Sequence, residues 1–211
     1  MRVSEAYDNW SVSYDSDRNL TRDLDGEIAR HSLGTLAVDA VLEIGCGTGK
    51  NTETLRYIAA NVIALDFSAG MIGQAKTKVS APNVHFVVAD LRTTLPVASQ
   101  KFELAVCDLV LEHIEDLYAV FAEVNRALVA GGRFYISELH PFRQYRGTVA
   151  NFQHGETRVE VTAFLHHISD FLAAARMNNF RLLELNEWWH EEDFEKPPRL
   201  VTFMFEKTMT R

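Results

Sequence analysis

Apolar runs of strand length alternate with helix-compatible segments between residues 32 and 140, which predicts an α/β protein built on a doubly wound, largely parallel sheet. A second observation agrees. The run Val41-Leu42-Glu43-Ile44 feeds straight into glycines at alternating positions, Gly45, Gly47 and Gly49, and a helix-compatible segment starts at Lys50. Glycines in such a turn admit φ > 0 and remove the Cβ atoms that would hold a ligand off the backbone. The helix start then offers unpaired N–H groups to an acceptor-rich ligand.

The elements follow in order. Residues 1–30 are polar and aromatic, with an acidic helical piece from Asp17 to His31. After the glycine turn, Asn61–Asp66 reads as a second buried strand ending in an acid. Asp66 lies about twenty residues past the loop, where a carboxylate grips ribose hydroxyls in open α/β nucleotide sites. Phe67 and Met71 supply an aromatic ring and a thioether able to sandwich a purine. Val84–Leu91 is a third strand carrying Asp90, an acceptor for an exocyclic amine; Phe102–Asp108 is a fourth and Gly132–Ser137 a fifth. Ser68–Val79 and Asp116–Val129 have helical apolar spacing, for example Leu117, Val120, Phe121, Val124 and Leu128, which reads as core. Pro141 is expected to stop the fifth strand. The aromatic and basic stretch Phe142–Gly147 and a hairpin over Ala150–Val161, turning near Gly155, then form an inserted substrate cap over residues 141–165. A helix over Ile168–Met177 and strands over Phe180–Leu185 and Arg199–Lys207, with Pro197-Pro198 at the turn, complete the chain.

Glycine spacing discriminates between cofactors. A dinucleotide site wants G-x-G-x-x-G with a pyrophosphate on the helix N-terminus. Here the third glycine comes one residue early, and Glu43 sits two residues before the first. A carboxylate there repels a pyrophosphate and suits a ligand bearing an amino group or a sulfonium. With that loop and the two strand-end acids, the chain resembles the class I S-adenosylmethionine-dependent methyltransferases, close to the small-molecule group that includes the ubiquinone/menaquinone type. The opening Tyr7-Asp8-Asn9-Trp10 and Tyr14-Asp15 resemble that family's entry segment, and Cys107–Ile114 its active-site-facing turn.

The resemblance implies a seven-stranded Rossmann-like sheet, mostly parallel with an antiparallel last strand and helices on both faces, in a single domain over residues 1–211. Residues 1–30 form a helical lid. It implies S-adenosylmethionine as cofactor and S-adenosylhomocysteine as product. Glu43, Gly45, Cys46, Gly47, Thr48 and Gly49 then form the loop, Asp66 holds the ribose, and Asp90 with the Leu91 amide holds the adenine edge. Phe67, Met71, Tyr14 and Leu109 complete the cofactor set, and Trp10 falls to the acceptor. Gly131 and Gly132 are expected to end the helix before strand five in a left-handed turn. Cys107-Asp108 departs from the family, where many relatives carry small uncharged residues.

A sulfonium methyl is already activated, so the enzyme's work is to hold a nucleophile in line and exclude water. A base helps only where the acceptor must lose a proton. His113 and His140 are the best-placed bases; His166, His167, Glu112 and Glu138 are alternatives. Arg143, Tyr145 and His166 are expected at the acceptor, and Arg143, Arg146 and Arg158 make an arginine cluster suited to an acidic acceptor. No metal site is expected, because no matching Cys/His spacing exists. Cys46 and Cys107 read as small buried thiols at strand ends facing the crevice. A net charge of −8 disfavours a nucleic-acid partner. No apolar stretch approaches bilayer length, and the first residues lack an apolar signal region, so a cytoplasmic protein acting on a small molecule is expected. A homodimer is compatible with this reading. The competing function is an S-adenosylmethionine-binding sensor or non-catalytic partner subunit; a dehydrogenase is a distant third.

Overall fold

The computed structural model describes residues 3–154 and 157–208. Two helices, α1 (Val3–Trp10) and α2 (Leu20–Leu33), precede the first strand, β1 (Val38–Ile44). Then come α3 (Thr52–Ile58), β2 (Ala59–Asp66), α4 (Ala69–Lys78), β3 (Val84–Val88) and β4 (Phe102–Asp108). A 3₁₀ turn (Leu111–His113) leads to α5 (Leu117–Ala127), β5 (Leu128–Leu139) and α6 (Pro141–Tyr145). The hairpin β6 (Asn151–His154) and β7 (Thr157–Glu160), then α7 (Ile168–Met177), β8 (Phe180–Trp188) and β9 (Leu200–Lys207), close the chain.

Seven strands hydrogen-bond in the order β3-β2-β1-β4-β5-β9-β8. All pairs are parallel except those of β9, which runs antiparallel to both β5 and β8. The central strands are apolar at consecutive positions because both sheet faces are covered. Val41, Val62, Ala64, Leu104 and Val106 pack with Leu33 of α2 and Leu55 and Ile58 of α3. Leu42, Ile44, Ala105, Cys107, Phe134 and Ile136 pack on the other face with Val120, Phe121 and Val124 of α5 and Phe171 and Ala174 of α7. Helix starts are set by short polar caps: Asn19 accepts from the amides of Thr21 and Arg22, Ser68 from Met71, and Asp116 from Tyr118 and Ala119.

Several boundaries differ from the sequence expectation. The helix after the glycine loop starts at Thr52, with Lys50 and Asn51 still in the turn. The third strand stops at Val88, which leaves Asp90 in the following turn. Helix α5 ends at Ala127, so Gly131 and Gly132 do not cap it. They lie inside β5, where Gly131 takes φ +75° beside a register shift between Phe102 and Leu104. Across from Phe102 and Leu104, β5 runs from Leu128 to Arg133 and so carries three extra residues, a detour whose left-handed turn glycine supplies cheaply. Pro141 ends β5 and also opens α6, with fixed φ at the first helical position and His140 as N-cap accepting from the Phe142 amide. The hairpin forms its own two-stranded sheet. Ala150, Val159 and Val161 pack on Ala6, Trp10 and their neighbours in α1, so the hairpin buttresses the N-terminal helix. The turn expected at Gly155 and the side chain of Arg158 lie outside the described residues.

Candidate functional site

The strand order reverses between β1 and β4, and the crevice at their carboxyl ends is where open α/β sheets place ligands. A pocket occupies that crevice. It is lined by Glu43, Gly45, Cys46, Gly47 and Thr48 of the loop, by Asp66, Phe67 and Met71, by Asp90 and Leu91, and by Asp108, Leu109 and His113. Val3 and Tyr7 of α1, Tyr14, Arg22 and Asp25 of α2, Lys50 and Asn51 close it.

The loop adopts φ +75°, +53° and +83° at Gly45, Gly47 and Gly49. A Cβ on Gly45 would sit 2.0 Å from Val110 Cγ2, whereas one on Gly47 would meet nothing within 4 Å. The backbone at Gly47 is therefore bare toward the pocket. The Gly45 and Cys46 amides both donate to the Leu65 carbonyl, at 2.8 and 2.9 Å. Asp66 ties the loop to β2: its Oδ2 accepts from the Gly47 amide at 2.9 Å and its Oδ1 from the Ser68 amide at 2.8 Å. Burial outweighs those bonds and raises the Asp66 carboxyl to about 6. Glu43 accepts from the Thr52 hydroxyl at 2.5 Å, which fixes the start of α3 on the strand end. Burial, with Asp66 nearby, raises Glu43 to about 8. Asp90 is held by Arg92 through Nη2 at 2.6 Å and Nε at 3.0 Å, and that guanidinium keeps its carboxyl below the usual range. The pair is exposed, so its exchange for another donor is cheap.

A second polar group lies under α2. Asn51 Nδ2 bridges Asp25 Oδ2 at 3.0 Å and Asp108 Oδ2 at 2.7 Å. The Oδ1 atoms of both acids are buried without a hydrogen-bond partner, and both residues line the pocket. Burial raises both carboxyls. The next residue, Leu109, holds φ +57° in a side chain that resists it. Its amide donates to the Ser137 carbonyl at 2.8 Å, and Glu138 Oε1 accepts from the amides of Val110 and Leu111 at 3.0 and 2.7 Å. These bonds force the strained turn that presents Leu109 and His113 to the crevice.

The structure does not bring every sequence candidate to the pocket. His140 is 1% exposed and lies away from the lining; its Nδ1 accepts from the Phe142 amide and its Nε2 donates to Glu187 at 2.8 Å. Both ring nitrogens are engaged by the fold, and neither is open to the pocket. Arg143 is clasped with Arg199 on the buried Asp193, at 2.9 and 2.6 Å, and does not line the pocket. His166 donates Nε2–H to the Ile114 carbonyl at 2.7 Å, Tyr145 stacks on His167, and Trp10 donates to Asp17 at 2.8 Å. None of these three lines the pocket, and neither does Gly49, which packs on Ala75. Cys107 faces the α5 side of the core, not the crevice, because the pleat turns it opposite to Asp108. Glu138 is a turn-holder. Arg22, Asp25, Lys50 and Asn51 were not singled out from sequence, and Tyr7 was named there only as part of the entry segment, without a role. Asp108 carried a signal there, its departure from the family pattern at the strand end, and Tyr7 carried one in the entry segment. Among the described residues, no group of three or more His, Cys, Asp or Glu could hold a metal.

A seven-stranded sheet of this order, with a glycine loop at its switch point and an acid closing the second strand, is the arrangement of the class I S-adenosylmethionine-dependent methyltransferases, and the chain is similar to members of that family in sequence as well as in fold. Residues 42–136 match the methyltransferase-domain family model. Malonyl-[acyl-carrier protein] O-methyltransferase of Methylovorus sp. (strain MP688) is 32% identical over 191 residues, covering 84% of this chain and 63% of that protein. Demethylmenaquinone methyltransferase of Renibacterium salmoninarum is 30% identical over 111 residues, covering 52% of this chain and 46% of the relative. The chain thus spans between about half and two thirds of these curated relatives. Among solved structures, an S-adenosylmethionine-dependent methyltransferase from Mesorhizobium loti has the same fold at TM-score 0.73 and 20% identity, covering 89% of this chain and 100% of that one. The DhpI–SAH complex gives TM-score 0.76 at 19% identity, covering 99% of this chain and 96% of that one.

Proposed function

We propose that this chain binds S-adenosylmethionine in the crevice and transfers its methyl group to a small-molecule acceptor by in-line displacement, with S-adenosylhomocysteine as the second product. The observation that carries the reading is Asp66, anchored on the amides of Gly47 and Ser68 at the mouth of a loop whose backbone is bare to the pocket. Its remaining lone pairs suit ribose hydroxyls. Asp90 and the Leu91 amide serve the adenine edge once Arg92 yields, and Phe67 and Met71 supply its apolar walls. At the other end, Asp25 and Asp108 suit a positively charged amino group; Arg22 and Lys50 on the same rim are engaged with Asp23, and Lys50 suits a carboxylate once it exchanges that partner. When bound, the cofactor supplies an activated sulfonium methyl. The chain's own residues orient it, and α1, through Val3 and Tyr7, helps exclude water.

His113 is the base on this reading, since it is the histidine that lines the pocket. Relatives named for malonyl-[acyl-carrier protein] O-methylation and for demethylmenaquinone support acceptors other than nucleic acid, as does the net charge of −8. No helix among the described residues is long and apolar enough to cross a membrane, and a cytoplasmic site of action fits the cofactor. The test is Asp66→Ala. Calorimetry should show cofactor binding weakened by about 1.5–3 kcal/mol, the worth of bonds to a charged acceptor. Unchanged affinity in a folded variant overturns the ribose assignment.

A further inference from the structure

We infer that Tyr7 is a catalytic residue, the first member of a Tyr7–His113 relay that takes the proton of a phenolic or alcoholic hydroxyl acceptor. The inference rests on the methyltransferase reading above and names its acceptor class.

The hydrogen-bond directions are fixed by chemistry. His113 Nδ1 lies 2.8 Å from the Thr162 carbonyl oxygen. A carbonyl only accepts, so Nδ1 carries the proton. In the neutral ring Nε2 is then an acceptor, and the Tyr7 hydroxyl 2.8 Å away is its donor. An acceptor molecule in the pocket therefore meets His113 through the Tyr7 oxygen, whose own lone pairs are unspent by that bond. Both residues line the pocket, beside Val3, Phe67, Val110 and Ile114. Those apolar walls suit a hydroxyl on an apolar body.

Three further contacts hold the relay. The Phe164 amide donates to the Glu112 carbonyl at 2.6 Å, and His166 Nε2 donates to the Ile114 carbonyl at 2.7 Å. The segment carrying Thr162 is thereby stitched to the turn that carries His113. Glu112 Oε1 lies 3.8 Å from Nε2, placed to stabilise a positive ring. Burial, reinforced by Tyr14 and Glu112, pushes the Tyr7 phenol up, so Tyr7 keeps its proton at rest and conducts rather than ionises.

The step balances. The acceptor oxygen bonds the methyl carbon as the sulfur–methyl bond breaks, with its electron pair left on sulfur. The acceptor's proton passes to Tyr7 Oη while the Tyr7 proton passes to His113 Nε2. The positive charge lost at sulfur reappears on the imidazolium, which returns its proton to water after product release. A carboxylate or a neutral amine needs no such removal before attack and gains nothing from the relay.

The test uses the full chain and Tyr7→Phe, with three readouts: calorimetry with S-adenosylmethionine, nitrogen-15 NMR of the imidazoles, and S-adenosylhomocysteine release with para-substituted phenols of graded acidity, benzoate and benzylamine. The expected spectrum shows His113 as the Nδ1–H tautomer, with the hydrogen-bonded Nε2 signal altered in Tyr7→Phe. Cofactor affinity is expected to hold in the variant. Release with weakly acidic phenols should fall about 100-fold, the scale of general acid–base catalysis, and most of that loss should vanish for phenols already ionised. An Nε2–H tautomer, an equal loss across the phenol series, or turnover with benzoate or benzylamine but no phenol overturns the relay and leaves the cofactor reading intact. No turnover with any of them does the same. Failure of the unaltered chain to bind S-adenosylmethionine overturns both.

Discussion

Gly45 and Gly47 share a left-handed backbone yet do different jobs. At Gly45 a side chain is barred twice, by φ +75° and by Val110 Cγ2 at 2.0 Å, so Gly45→Ala should fail to assemble the loop and lower thermal stability markedly. At Gly47 the Cβ would project into open space, so Gly47→Ala should destabilise by only about 1–2 kcal/mol, the left-handed cost of an L-residue. It should weaken S-adenosylmethionine binding more than that, because the new methyl enters ligand space. Denaturation curves and calorimetry on the two variants separate the effects. Asp193 is a third residue with a defined role. Its side chain is fully buried between Arg143 and Arg199. Asp193→Asn should destabilise by about 3 kcal/mol, as expected when a buried ion pair loses one partner, and urea denaturation will show it. Bonds from Arg199 and Arg143 pull the Asp193 carboxyl down to about 2 against the cost of its burial. That stability is present above the unfolded value near 4 and is lost as pH falls toward 2.

At the level of elements, α1 lies along the pocket rim and is held there from outside the sheet. Asp8 Oδ1 accepts from the Ser68 hydroxyl at 2.5 Å and from the Gly70 amide at 2.9 Å, which fastens α1 to the start of α4. Tyr7 reaches His113, and Trp10 packs under the hairpin. None of these bonds belongs to the sheet. Asp8→Ala should therefore free the first turn segments for limited proteolysis before residue 20 while shifting the melting of the sheet little, by about 1 kcal/mol or less as for a lost cap. A large fall in sheet stability would mean that α1 is part of the core. The hairpin's place follows from the same packing. It packs on α1 through Val159 and Val161, and its continuation lends the Thr162 carbonyl to His113.

For the whole molecule, the buried acids set a pH dependence. Glu43 and Glu138 are raised to about 8 and Asp66 to about 6, each chiefly by burial. Their unfolded values lie near 4, so between those limits the folded chain holds protons that the unfolded chain has released. Stability of the unliganded protein should then fall as pH rises from about 5 to 8. Melting temperatures across that range check the slope, and Glu43→Gln should flatten it. A cationic ligand favours the ionised acids, so binding should release protons, visible as a buffer-dependent heat in calorimetry. A slope of the opposite sign would show that these carboxyls are ionised in the folded chain.

The sequence by itself determined the strand–helix alternation, the loop glycines and the acids at Asp66 and Asp90, because these are local signals: pleat periodicity, positive φ, and a carboxylate at a strand end or in the turn just past it. Even the family was legible from Glu43–Gly49 with Asp66 and Asp90. Tertiary structure alone decided which of the histidines meets the crevice. His113 and His140 both follow strand ends, yet a left-handed Leu109 swings one into the pocket while Pro141 and Glu187 lock the other in the fold. It also decided that Tyr7 and Asp25, far away in the chain, stand beside His113 and Asp108. Such pairings depend on how α1 and α2 fold back over the sheet, and long-range packing leaves no periodic trace in the order of residues.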